Sequence, residues 1–184
     1  MKTINNIHLG IKNESKFKKA YLALFKYVVI NRWQGACHAS SAILFVVCKL
    51  LGIDAKLCVG EAGLYGGAFD HSWVEINNKV FDVAIVMPLN IDFARGPIFD
   101  GFDLTNQIDS DVSYGVYFSG LCDETKTIAN NNLYTYFKSS PDNRLFVVLK
   151  NVCNEAKISF QIDLLENKLK KWGWEVVPIS FESR

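Results

Sequence analysis

Three residues of this chain have the side chains of a nucleophile, a proton carrier and an orienting acid: Cys37, His71 and Asp82. A thiolate can attack a carbonyl carbon, an imidazole can move the proton, and a carboxylate can fix the imidazole tautomer. This combination is typical of enzymes that pass an acyl group through a covalent intermediate. Such chemistry requires a fold that brings the three side chains together.

His71 and Asp82 lie on two predicted strands that flank Asn77-Asn78. Asn-Asn suits a tight hairpin turn because asparagine tolerates positive φ angles. With the turn at this pair, Trp73 faces Asp82, and His71 and Asp82 become diagonal neighbours on one face. Their Cα atoms are then roughly 7–8 Å apart, a gap that a side-chain hydrogen bond can span. The opposite face is predicted to be core and carries Val74, Ile76, Phe81 and Val83.

Cys37 begins a predicted buried helix over residues 37–51, which is almost entirely apolar or small and is followed by Gly52. The unpaired backbone N–H groups and the dipole at a helix start favour a thiolate. A tetrahedral intermediate would also need hydrogen-bond donors. The backbone N–H of Cys37, the amide of Gln34 or a neighbouring indole such as Trp33 are the candidates.

Other residues near these three have alternative interpretations. Trp73 shares the predicted face with His71, where it would shield the His71–Asp82 hydrogen bond or simply pack. Asp70 and Glu75 are rivals of Asp82 as the orienting acid. His38 follows Cys37 but points to a different side of the helix, and it is interpreted as a structural or rim residue.

The remaining cysteines are predicted to have structural roles and to bind no metal. Cysteine and histidine pairs at the spacing of zinc ligands are absent from the sequence, so no metal site and no cofactor is predicted. Four cysteines lie in apolar patterns and are interpreted as small hydrophobic residues: Cys48, Cys58, Cys122 and Cys153.

The elements that must position the candidate site follow from hydrophobic periodicity. An amphipathic helix over residues 15–29, capped by Ser15, precedes the buried helix, and a strand over residues 55–61 leads into a glycine-rich loop. Beyond Val86 the pattern predicts a long loop, one strand and two helices, at residues 88–107, 114–118, 143–153 and 160–172. This order predicts an α+β architecture in one domain, residues 1–184, and disfavours a doubly wound nucleotide-binding fold.

Composition excludes several classes of protein. The 184 residues are 49% hydrophobic with a net charge of +1, and the basic residues form no patch, so no nucleic-acid partner is predicted. The longest apolar run has about half the length that a bilayer requires, so no membrane span is predicted. Five cysteines without a C-x-x-C pair, and no signal-peptide pattern, predict reduced thiols and a cytoplasmic location.

The motifs around the three candidate residues resemble those of the transglutaminase-like cysteine enzyme superfamily, and of its short bacterial peptidases in particular. The chain has G-A-C ending at Cys37, then G-I-D-A at residues 52–55, then H-S-W-V-E at residues 71–75, then Asp82. The resemblance covers residues 34–82. It implies a papain-like core, with the nucleophile at the N-terminus of a buried helix packed on an antiparallel sheet. It also implies a Cys37–His71–Asp82 triad that forms a thioester without a metal.

The superfamily includes peptidases, deamidases and amide cross-linking enzymes. In the cross-linking enzymes the nucleophile is commonly followed by tryptophan, whereas His38 follows here, so calcium-dependent cross-linking is not expected. The expected substrate is a peptide or protein amide, and hydrolysis is the default outcome. The alternative reaction is transfer of an acyl group to a small amine, including an acetyl group carried on coenzyme A. A catalytically degenerate binding protein is the alternative outside the enzymes. The segment after Asp82, residues 87–111, is predicted to form the substrate wall.

Overall fold

The computed structural model describes residues 2–177 and has helices before and after an antiparallel sheet. The helices are α1 (Lys2–Asn6), α2 (Glu14–Ile30), α3 (Cys37–Leu51), α4 (Asp123–Ala129), α5 (Leu133–Ser139), α6 (Arg144–Glu155) and α7 (Ile162–Leu169). The strands are β1 (Lys56–Leu64), β2 (Gly67–Ile76), β3 (Lys79–Phe81), β4 (Ile98–Phe99), β5 (Phe102–Asp103), β6 (Ile108–Asp109), β7 (Ser113–Val116) and β8 (Glu175–Val176). The α+β prediction is confirmed.

The main sheet has the strand order β3-β2-β1-β7, and β8 adds a short parallel pairing to β1. A second, three-stranded sheet is formed by β4, β5 and β6. The prediction of a long loop over residues 88–107 is therefore wrong, since two of the three strands of the second sheet, β4 and β5, lie there. Its strands are two residues long, which is too short for an alternating pattern to be recognised in the sequence.

The predicted hairpin is confirmed in its turn and in its first three pairs. Asn77 and Asn78 have φ angles of 52° and 59°, and Val74 pairs with Phe81. The ladder ends there, however, and Asp82 pairs with Ile98 in an isolated bridge instead of facing Trp73. The physical reason lies in Asp82 itself, whose carboxylate accepts backbone N–H groups of the next turn and so ends the strand.

Helix α3 has the predicted bounds, and its C-cap Gly52 has the left-handed φ of 69°. Most of its side chains are buried, and the Ser41 hydroxyl donates a hydrogen bond of 2.8 Å to the backbone carbonyl of Ser72 on β2. Helix α2 also packs on α3. The predicted Ser15 cap is wrong, because α2 begins at Glu14 and its N-cap residue Asn13 makes no side-chain capping bond.

The main hydrophobic core lies between the helices and the predicted apolar face of the hairpin. Phe17 and Tyr21 of α2 contact an aromatic pair contributed by β3 and β4, with ring centroids 5.3 Å apart for Phe17–Phe81 and 4.9 Å for Tyr21–Phe99. These contacts attach the second sheet to the helical layer. They also fix the position of Asp82, which follows β3 directly.

The C-terminal half differs more from the prediction. The two helices predicted at residues 143–153 and 160–172 are confirmed as α6 and α7, although α7 ends at Leu169 and Trp172 packs beyond its end against Phe45. Helices α4 and α5 and strand β8 were not predicted because each is too short to show a clear period. Within residues 2–177, no helix combines the length and hydrophobicity needed to cross a membrane.

The Tyr21 hydroxyl, which is fully buried, lies 2.6 Å from the Ile98 carbonyl oxygen and 3.1 Å from that of Asp82. We expect Tyr21→Phe to lower the free energy of unfolding by about 1 kcal/mol because the bridge loses this donor. Urea denaturation measures the change. Tyr27→Phe on the same helix is the control, since the Tyr27 hydroxyl has no hydrogen-bond partner in the described chain. An equal loss in both variants would contradict the assignment.

Candidate active site

His71 and Asp82 meet inside the protein. His71 lies on β2 and Asp82 follows β3, and their side chains are 2% and 0% exposed. His71 Nε2 is 2.6 Å from Asp82 Oδ2. The two rival acids have other partners: Asp70 accepts the backbone N–H of Cys122, and Glu75 accepts the indole N–H of Trp73. Of the three acids, Asp82 is the one in contact with the imidazole.

The Asp82 carboxylate is held by four hydrogen bonds. Oδ1 accepts the backbone N–H groups of Ala84 and Ile85 at 2.8 and 3.2 Å. Oδ2 accepts the Tyr114 hydroxyl at 2.9 Å in addition to the contact with His71. Tyr114 lies on β7 and was not among the candidates from sequence, because nothing in a single tyrosine on a late strand indicates which carboxylate it reaches.

The electrostatic balance at His71 favours the imidazolium. Burial by itself lowers the pKa of this group, but the charge and hydrogen bond of Asp82, with a smaller contribution from Cys37, outweigh burial and raise the pKa from 6.5 to about 10. Because the folded-state pKa is above the ordinary value, the pair's contribution to stability is complete below pH 6.5. It is lost as the pH rises through about 10.

Cys37 is half-buried at the first position of α3 and shares a cavity of about 480 Å³ with His71. Since Asp82 occupies Nε2 of His71, the Nδ1 atom is the imidazole nitrogen left to exchange a proton with the thiol. The first N–H groups of α3 have no partner within the helix, as at any helix start. The structure thus brings the three predicted residues Cys37, His71 and Asp82 to one site.

The predicted oxyanion and pocket candidates Gln34 and Trp33 lie elsewhere. Both amide hydrogens of Gln34 are used, because Nε2 donates to the carbonyls of Pro88 and Leu89 at 3.1 and 3.0 Å. The Trp33 ring packs 4.7 Å from the Arg144 guanidinium. Neither Gln34 nor Trp33 is among the residues that line the cavity. Gln34 instead fixes the position of the loop that forms one cavity wall.

Trp73 is fully buried and has a packing position. Its indole N–H donates to Glu75 at 2.9 Å, and its ring lies 5.1 Å from that of Tyr114. Tyr114, in turn, contacts His71 at 6.1 Å between ring centroids. The side chain that covers the His71–Asp82 pair is therefore Tyr114, with Trp73 behind it.

His38 lines the cavity and is anchored on β2, so it has both the structural and the rim position considered from the sequence. Its Nδ1 lies 2.7 Å from the Ser72 hydroxyl, and its ring lies 5.8 Å edge-on from Trp174. Burial lowers the pKa of His38 to about 4, helped by the charge of His71. His38 is therefore neutral at pH 7.

An aromatic group from the C-terminal half packs against His38, the sequence neighbour of Cys37. Burial raises the pKa of the Tyr136 phenol, and the negative charge of Cys37 adds to this effect. The Tyr136 ring lies 5.4 Å from that of Trp174, whose Nε1 is a buried donor without a hydrogen-bond partner in the described chain. Sequence analysis missed both residues, since their position near His38 depends on packing between distant segments.

A buried carboxylate fixes another wall of the cavity. Glu61 is 3% exposed and accepts the backbone N–H groups of Phe118, Ser119 and Gly120 at 2.7, 2.9 and 3.1 Å. Ser119 and Gly120 line the cavity. Burial raises the pKa of Glu61, but these donors outweigh burial and leave the pKa below 4.5. The backbone of residues 118–120 is therefore held in place by hydrogen bonds to the Glu61 carboxylate.

The other four cysteines divide into two groups. Cys48, Cys58 and Cys153 are buried, and burial raises the pKa of each thiol, to about 12 for Cys153. Cys122 differs from the predicted packing role, because it is exposed and lines the cavity. In the described part of the chain no three His, Cys, Asp or Glu side chains are grouped as metal ligands.

Comparisons with family models, with curated proteins and with solved structures find no match to this chain.

We expect Asp82→Asn to lower the pKa of His71 from about 10 to below 6.5, because burial then acts without the opposing charge. The asparagine oxygen can still accept from Ala84 and Ile85, so the turn is preserved. An NMR pH titration of the imidazole measures the change. Asp70→Asn is the control, since it removes a charge from the neighbouring position without touching His71. An imidazole that stays protonated at pH 7 in Asp82→Asn would contradict the assigned cause.

Glu61→Gln should release the loop of residues 118–120, because an amide cannot accept from all three N–H groups. We expect the exchange rates of these amides to rise roughly tenfold or more, as for lost hydrogen bonds to a charged group. Hydrogen exchange read by NMR tests this. Asp103→Asn removes another buried carboxylate that caps backbone N–H groups, at Thr105 and Asn106. It should leave residues 118–120 protected.

Proposed function

We propose that this protein is a cysteine-dependent amide hydrolase or acyl transferase of the transglutaminase-like type, with a papain-like core. The observation that carries the proposal is the buried hydrogen bond of 2.6 Å between His71 and Asp82, set beside a cysteine at a helix start. In this arrangement the thiol can act as the nucleophile, the buried imidazole as the base and the carboxylate as the group that orients the imidazole. The motif order of the sequence supports the same family.

In the proposed first step, the Cys37 thiolate forms a bond to the carbonyl carbon of an amide. The tetrahedral oxyanion then collapses, the carbon–nitrogen bond breaks, and the His71 imidazolium gives its proton to the departing amine. The product is a thioester on Cys37. Asp82 keeps His71 oriented and stabilises its charge without taking the proton.

In the second step, water attacks the thioester carbon while His71 accepts the proton of that water. The carbon–sulfur bond breaks, and Cys37 returns as a thiolate paired with the imidazolium. Hydrolysis is the default because water is always present, and an amine in place of water would give acyl transfer. The donors for the oxyanion are the N–H groups in the first turn of α3, where Cys37 lies.

The cavity and the thiols support this chemistry. A cavity of about 480 Å³ is large enough for one or two residues of a peptide substrate. All five cysteines are unpaired, as expected of a protein that works in a reducing compartment such as the cytoplasm.

The first test is the pH dependence of iodoacetamide labelling, read at each cysteine by mass spectrometry. We expect Cys37 to react at pH 6 almost as fast as at pH 8, because His71 in the same cavity can take up the proton of the attacking thiol. An ordinary exposed thiol should slow by roughly a hundredfold over the same range. Cys122, exposed at the same cavity, is the internal comparator.

His71→Ala should abolish the labelling of Cys37 at pH 6 and leave that of Cys122 unchanged. If Cys37 reacts no faster than Cys122 at pH 6 in the parent protein, the triad loses its support. The catalytically degenerate binding protein would then be the better explanation of the fold.

A further inference from the structure

The cavity around Cys37 has two arms of different chemistry. Side chains alternate along β2, so Phe69 and His71 lie on one face of the strand and Asp70 lies on the other. On the first face the Phe69 ring lies 5.3 Å from His71 and stacks at 5.0 Å on Phe93. These rings, with the loop that contains Leu89, make an apolar arm.

The second arm is acidic. Asp70 and Glu124 both line it, together with Cys122. Asp70 Oδ2 accepts the backbone N–H of Cys122 at 2.9 Å, which ties the start of α4 to β2. In the described chain neither carboxylate forms an ion pair, whereas Asp123, beside Glu124, pairs with Lys126 at 3.3 Å.

The His71 imidazolium is already paired with Asp82, so no free positive side chain of the described chain compensates these two charges inside the cavity. No lysine or arginine from the described chain lines it. His38, the other titratable group that faces Asp70, is neutral at pH 7 because burial lowers its pKa to about 4. The acidic arm therefore presents a net negative potential to whatever is bound next to Cys37.

The proton transfer from His71 to the leaving amine assigns each arm of the cavity to one side of the scissile bond. The departing amine takes its proton from His71, so the leaving group must lie over the arm that contains His71 and Phe69. The acyl part of the substrate then extends away from His71, toward Asp70 and Glu124. This assignment rests on the triad proposed above.

We propose that the substrate is an amide whose acyl part carries a positively charged side chain, of the lysine or arginine kind, held by Asp70 and Glu124. The cation serves in recognition and not as the attacking amine. Carboxylates beside an ammonium group favour its charged form, which has no lone pair to attack a thioester. The apolar arm accepts a leaving group with an apolar side chain.

Two matched affinity labels test the proposal: the chloromethyl ketones of Nα-acetyl-lysine and Nα-acetyl-norleucine, which differ in a terminal charge. We expect the lysine reagent to label Cys37 roughly fivefold to tenfold faster, as for a cation near two partly screened carboxylates. The double variant Asp70→Asn/Glu124→Gln should bring this ratio close to one. The side-chain oxygen of the asparagine introduced by Asp70→Asn can still accept the N–H of Cys122, so the wall keeps its hydrogen bond.

Asp123→Asn is the matched control, because it removes a charge from the same turn of α4 outside the cavity and should keep the parent ratio. Equal labelling by the two reagents in the parent protein would overturn the proposal. A diamine that slows both reagents equally, with no preference for lysine, would place the cation on an acceptor amine and would also overturn it. Failure of the triad itself is recognised separately, as slow iodoacetamide labelling of Cys37 at pH 6.

Discussion

The buried pair of His71 and Asp82 is the constraint on which the rest of the site depends. Taking a carboxylate and an imidazolium out of water costs several kcal/mol unless each is paired and its remaining hydrogen-bonding positions are satisfied. Asp82 is satisfied completely, by two backbone N–H groups, by Tyr114 and by His71. Its backbone is fixed as well, by the bridge to Ile98 and by Tyr21. Several distant segments of the chain therefore have to be in place before this pair is stable.

The cavity walls are irregular segments, and side chains hold them where backbone ladders do not. Gln34 binds the carbonyls of residues 88 and 89, and Glu61 binds the N–H groups of residues 118–120. Ser72 joins β2 to α3 by contacts with both Ser41 and His38. These bonds are few, and each joins segments that are far apart in the sequence. The shape of the cavity is thus set by a small number of polar side chains.

Sequence periodicity was sufficient for the parts of the fold that are local. The bounds of α3, its C-terminal glycine and the Asn77-Asn78 turn all follow from patterns within about fifteen residues. Those two elements carry Cys37 and His71, so the proposed nucleophile and its imidazole could be placed from the sequence. Asp82 could be identified too, although the strand stops before it. The Asp82 carboxylate accepts backbone N–H groups of the following turn, and these hydrogen bonds end the strand. A hydrophobic pattern does not reveal that a side chain competes with the strand in this way.

The remaining parts depend on contacts between distant segments. Tyr114, Glu61 and Trp174 have no local signature, and their roles arise only when β7, β1 and the segment before β8 pack together. The small second sheet and the short helices α4 and α5 lie below the length at which a period is visible. Gln34 was assigned by its position near Cys37, whereas the carbonyls of residues 88 and 89 bind its amide.

The pairing of β8 with β1 joins Val177 to Val59, and the same segment brings Trp174 against His38. These contacts close very long loops of the chain, and closures of this kind form late because their entropy cost must be met first. The hairpin that carries His71 is local in sequence, so its closure costs less entropy and can come earlier. A newly made chain would therefore hold its thiol at the head of α3 while the surroundings of that thiol are still open. The environment of Cys37 should accordingly be completed late in folding, after the segments on either side of the sheet have met.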